Sequence, residues 1–149
     1  MRPHPCALAM QRILCGEDIT CAILATDHAP HTVSEKLQPE PNSLLVPSGL
    51  PGLDTATLLC YDFVQSGQMT PKRFNHLTAR GPAQLLRLTQ KGEISLGYDA
   101  DLIVIANEPT EFRDELVESR CGWTPFHGQS VAASLKLVVA RGQILLNRL

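Results

Sequence analysis

The chain has 149 residues, 44% of them hydrophobic and 19% charged, with a formal net charge of −2. That supplies one ordinary core, without the basic excess of a nucleic-acid binder or the long charge run of a disordered tail. The longest apolar runs are strand-sized and fall short of a membrane span.

Residues Met1 to Pro5 are proline-rich and do not build a signal peptide, because no apolar h-region or small-residue cleavage site follows. Cys6, Met10 and Ile13, with Ala7 and Leu14 beside them, suit one face of a short helix ended by Gly16. Ile19-Thr20-Cys21-Ala22-Ile23-Leu24-Ala25 then reads as a buried strand. It delivers Asp27, His28 and His31 within five residues, and Pro30 stops it from continuing. The carboxyl end of a buried strand is where α/β barrels and open α/β sheets place their chemistry. A carboxylate there can ligate a divalent metal, take a proton from water, or both, and His31 can offer a ring N–H to a substrate oxygen. On these residues alone, the plainer reading of an Asp-His pair is a helix cap or a hydrogen-bonded loop.

Thr32 to Gly52 reads as a long loop carrying Pro39, Pro41, Pro47 and Pro51. Ala56, Leu59, Cys60 and Phe63 recur at helical spacing, with Asp54 or Thr55 as the cap and Gly67 as the stop. Thr70-Pro71 starts a second helix running to about Ala79, in which His76 is a surface or packing residue. Gly81-Pro82-Ala83 starts a third helix, through Leu88. From Lys91 the pattern changes to two short strands around Gly97-Tyr98-Asp99, the second being Leu102-Ile103-Val104-Ile105. Asp99 and Asp101 read as turn and strand-edge residues. Phe112 to Ser119 suggests a short helix, and Leu135, Leu137 and Val139 alternate into a hairpin turned at Arg141-Gly142 and returning through Ile144-Leu145-Leu146. Cys6, Cys15, Cys21, Cys60 and Cys121 are odd in number and show no Cys-x-x-Cys spacing. They read as reduced thiols of a cytoplasmic protein.

Thr26-Asp27-His28-Ala29-Pro30-His31-Thr32, followed by Glu35-Lys36, closely resembles the signature that closes the barrel of dihydroorotases. These are zinc enzymes of the cyclic amidohydrolase group that interconvert N-carbamoyl-L-aspartate and dihydroorotate in pyrimidine synthesis. Hydantoinases and allantoinases share the Asp-His but not usually the Ala-Pro-His. Val46-Pro47-Ser48-Gly49 resembles the family's Pro-Phe-Gly, with Ser48 in place of Phe. Gly81-Pro82-Ala83 stands for Asn-Pro-Ala, and Trp123-Thr124-Pro125-Phe126-His127-Gly128 for Asn-Thr-Pro-Phe-x-Gly. Gly97-Tyr98-Asp99-Ala100-Asp101-Leu102 is a pattern shared across amidohydrolases.

The resemblance implies an α/β fold in two parts. Residues 1–90 would be the C-terminal end of a (β/α)8 barrel, the last αβ unit plus trailing helices, and residues 91–149 part of a small β-sandwich. It implies that Asp27 is both a metal ligand and the catalytic base, and that His31, Ser48 and Gly49 bind the substrate. The family's first-strand His-x-His and other metal ligands have no counterpart here, and a whole barrel needs roughly 250 residues. The expectation is therefore a C-terminal fragment, inactive alone, whose Zn2+ site is completed by an upstream barrel half. The alternative is a non-catalytic dihydroorotase-like subunit supporting aspartate transcarbamoylase.

Overall fold

The computed structural model describes residues 4–16, 23–37 and 46–149. Helices come first and strands last. Helix α1 is His4–Cys15, α2 Val33–Lys36, α3 Leu53–Gln65, α4 Pro71–Asn75 and α5 Gly81–Leu85, the last two joined by a π-helical turn at His76–Arg80. The strands are β1 Leu102–Ala106, β2 Thr110–Glu111, β3 Ser130–Val131, β4 Ser134–Ala140 and β5 Gln143–Asn147. They form an antiparallel sheet of order β1-β4-β5 and a small β2-β3 ribbon.

Two apolar clusters organise the packing. Cys60 of α3 meets Met69 and Leu77, with Leu14 of α1 and Leu24 beside them. On the sheet side Leu58 of α3 packs with Phe112, Val131 and Ala133. Helix α3 thus serves both clusters, Leu58, Leu59 and Tyr61 facing one and Cys60, Phe63 and Val64 the other. Thr70 caps α4 by accepting from Arg73 N–H, with Pro71 at the first helical position, as the Thr-Pro pair predicts. Arg73 is buried, and its guanidinium donates to the carbonyls of Leu14 and Ile13, closing the exposed end of α1.

Several local expectations need correction. The first part of the strand expected over Ile19–Ala25, Cys21 included, lies outside the described residues. Its last three residues join no ladder, and Leu24 N–H bonds instead to the carbonyl of Leu77. The first strand expected after Lys91 is a run of turns, with Ile94 90% exposed and no strand beside it among the described residues. A strand needs a partner ladder, so periodicity alone does not make one. The helix expected over Phe112 to Ser119 shrinks to a 3-10 turn at Asp114–Leu116. Helix α5 ends at Leu85, three residues before the predicted stop at Leu88. The cap of α3 is Gly52, while Asp54 Oδ1 accepts the Glu118 N–H at 2.9 Å. The terminal hairpin is as predicted, turned at Arg141-Gly142.

Candidate functional site

The stretch 26–37 lies along the segment 46–53. His28 makes a parallel bridge with Leu50, and Ala29 N–H donates to the Leu50 carbonyl at 3.1 Å. Gly49 makes this approach possible: a Cβ there would lie 2.6 Å from Ala29 Cβ, and its φ is +101°. Ser48, Gly49 and the Asp-His motif are therefore neighbours through the backbone.

Asp27 and His28, adjacent in sequence, have different fates. His28 Nδ1 accepts N–H bonds from Gly52 at 3.0 Å and Leu53 at 3.2 Å, the first amides of α3. These are two of the amides that a helix start leaves without an intrahelical partner, and the imidazole satisfies them. Asp27 is exposed, adopts φ +48°, and its carboxylate has no hydrogen-bond partner among the described residues. The capping reading of the pair thus belongs to His28, and the carboxylate is left available.

His31 is half-buried and fixed from two sides. Its carbonyl accepts the Trp123 indole N–H at 2.7 Å, and its Nδ1 lies 4.0 Å from Glu35 Oε2. Thr32 caps α2 in a reciprocal capping box: its hydroxyl accepts Glu35 N–H, and its own N–H donates to Glu35 Oε2 at 2.7 Å. The Thr32 N–H, then the Thr32 hydroxyl, hold the Glu35 carboxyl below its ordinary range, with His31 a smaller contributor. Lys36 Nζ donates to the Pro47 carbonyl at 3.0 Å and lies 5.9 Å from the Trp123 ring centroid. Reading 32–52 as one loop overlooks the Thr32-x-x-Glu35 spacing, which is itself the signature of α2. Sequence gave no comparable sign of the bonds from His28 to α3 or from Trp123 to His31.

The amidohydrolase pattern matches residues 10–145 of the chain. The chain belongs to the amidohydrolase family. Within that family it is dihydroorotase-like. The dihydroorotase of Halobacterium salinarum is 38% identical over 107 residues, 71% of this chain and 25% of that protein. The multifunctional protein pyr1-3 of Dictyostelium discoideum is 34% identical over 123 residues, 82% of this chain and 5% of that one. A solved D-hydantoinase superposes with a TM-score of 0.90 at 21% identity, covering 98% of this chain and 32% of its own. That likeness shows a shared fold, that of part of a (β/α)8-barrel amidohydrolase. The chain spans about a quarter of the length of the dihydroorotase and about a third of the hydantoinase.

Amidohydrolases are metal-dependent hydrolases, which makes the donor set of this amidohydrolase chain decisive. No three His, Cys, Asp or Glu side chains gather as a metal would need among the described residues. Asp27 offers one carboxylate, His28 Nδ1 is engaged by two amides, and His31 Nδ1 faces Glu35. A catalytic zinc takes three protein ligands. The described residues do not hold one by themselves.

The remaining motif residues are structural in their contacts. Lys91 Nζ pairs with Asp99 at 2.8 Å and with Asp101, whose other oxygen accepts Arg141 N–H at 2.7 Å. Asp101 lies below its ordinary range and Lys91 above it, each chiefly through their mutual hydrogen bond. His127 Nδ1 accepts Asp114 N–H at 3.2 Å, and Asp114 Oδ1 accepts Thr124 N–H.

Proposed function

We propose that this chain supplies the Asp-His corner of a dihydroorotase-type active site, for the reversible ring opening of dihydroorotate to N-carbamoyl-L-aspartate. One observation carries the reading: Asp27 presents an exposed carboxylate from a left-handed backbone, with no hydrogen-bond partner among the described residues. Non-glycine residues kept in that conformation cluster at functional sites. In this reading Asp27 takes a proton from the water that attacks the ring amide carbonyl, then returns it to the departing nitrogen. His31, whose Nδ1 faces Glu35, turns Nε2 to the substrate carboxylate, and the backbone of Ser48 and Gly49 lines the same pocket. Among the described residues, Asp27 is the one that would serve as a ligand to a Zn2+ centre, the other ligands coming from elsewhere.

The same proposal divides the chain at residue 90 into a barrel part and a sandwich part, supported by all helices α1–α5 preceding all strands. It places the protein in the cytoplasm, supported by the free thiols of Cys6, Cys15 and Cys121. No helix among the described residues is long and apolar enough to cross a membrane. Aspartate transcarbamoylase is the proposed protein partner, supported by the likeness to a multifunctional protein.

The test is dihydroorotate ring opening, with added zinc, by the chain combined with the remaining three quarters of a dihydroorotase. Asp27→Asn should lower the rate by about 10²–10⁴-fold. Equal rates for Asp27→Asn and the parent would refute the assignment.

A further inference from the structure

We infer that His28 is a positioning residue, whose Nδ1 anchors the backbone so that Asp27 stays in its left-handed conformation. The functional meaning of this rests on the reading of Asp27 as the proton-transfer carboxylate.

Both neighbours of Asp27 are held against one glycine. On one side, a Cβ at Gly52 would lie 3.3 Å from Thr26 Cβ, so Thr26 is packed against the Gly52 backbone. On the other, His28 Nδ1 accepts the Gly52 N–H at 3.0 Å and the Leu53 N–H at 3.2 Å. The bridge from His28 to Leu50 and the Ala29 N–H bond to the Leu50 carbonyl hold the chain immediately downstream. Asp27, between these two contacts, adopts φ +48°, and the tethers on either side limit how the chain can leave that conformation. Such a conformation persists only where the surroundings over-determine it. The imidazole also relieves the carboxylate of a competing task. A carboxylate is a ready acceptor for open amides at a helix start, but here His28 takes the Gly52 and Leu53 amides and Asp27 does not. Because Nδ1 accepts two backbone N–H groups, the ring proton of the neutral imidazole sits on Nε2.

The experiment is NMR on the isotope-labelled full chain. In the wild type, His28 Nδ1 should resonate as unprotonated, and Asp27 should show the strong intraresidue HN–Hα cross-peak of a positive φ. His28→Asn places an oxygen near the Nδ1 position and should keep that cross-peak and the slow exchange of the Gly52 and Leu53 amides. His28→Gln moves the acceptor beyond reach, and should speed exchange at both amides by at least about tenfold and weaken the Asp27 cross-peak. A protonated Nδ1 in the wild type, or a left-handed Asp27 in folded His28→Gln, would overturn the inference. Should His28→Gln fail to fold, loss of the cross-peak in His28→Asn overturns it equally. In the complemented enzyme, His28→Gln should lower kcat on the order of 10²-fold with KM little changed, and His28→Asn should restore it. Ring opening indifferent to Asp27→Asn would instead remove the proposed function, while the NMR result still decides the role of His28.

Discussion

The indole N–H of Trp123 donates to the main-chain carbonyl of His31 at 2.7 Å, joining residues 92 positions apart. Lys36, five residues beyond His31, lies near the same ring and donates to the Pro47 carbonyl. One aromatic side chain from the strand-rich half therefore holds the His31 main chain directly, and reaches the Pro47 carbonyl through Lys36.

Trp123→Phe keeps a ring near Lys36 but removes the donor. It should destabilise the chain by about 1 kcal/mol, read as a lower urea midpoint. Trp123 is the only tryptophan of the chain. Its emission should respond to N-carbamoyl-L-aspartate if His31 binds the carboxylate, and His31→Ala should abolish the response. An emission change that survives His31→Ala would place the ligand elsewhere.

Gly49→Ala should destabilise by about 1–3 kcal/mol, because φ is +101° and the new Cβ would meet Ala29 Cβ at 2.6 Å and its carbonyl oxygen at 2.8 Å. Thermal unfolding measures this. An unchanged midpoint would mean that segment 46–50 does not lie against the Asp-His motif.

Leu77 is 0% exposed and packs with Cys60 and Met69. Leu77→Ala should cost about 2–5 kcal/mol by chemical denaturation. Its carbonyl, which accepts Leu24 N–H, survives the substitution, so the loss reports packing alone.

Two carboxylates and one lysine give opposite pH limits. Glu35 and Asp101 are depressed in the folded chain, so their contribution is present above their ordinary values and fades as pH falls through the depressed ones. Lys91 is raised, so its contribution holds below the ordinary lysine value and fades as pH rises through the raised one. Glu35→Gln should flatten the acid limb of stability, and Lys91→Met should flatten the alkaline limb and part of the acid one. Unfolding midpoints across pH read both; unchanged limbs would show these bonds to be absent in solution.

Much of the helical half was legible in sequence because its signals are local. Apolar spacing marked α3, and Thr70-Pro71 marked the start of α4. The terminal hairpin followed from alternation and an Arg-Gly turn. Strands fared worse where the decision was not local: Ile94 and Leu96 alternate as strand residues do, yet no ladder reaches them among the described residues. The start of α3 is not decided locally either: its cap is Gly52, and the Gly52 and Leu53 amides find their acceptor in His28, far back along the chain.

Sequence by itself determined the family signature, the Asp-His-Ala-Pro-His wording and most of the helix order, because propensity, capping and motif spacing act over a few residues. Only the tertiary structure decided how that motif is used. Long-range hydrogen bonds, from Gly52 and Leu53 to His28 and from Trp123 to His31, assign one histidine to backbone anchoring and tie the other's main chain to the strand-rich half. Such bonds depend on which distant amides the fold leaves unsatisfied, and no local pattern records that.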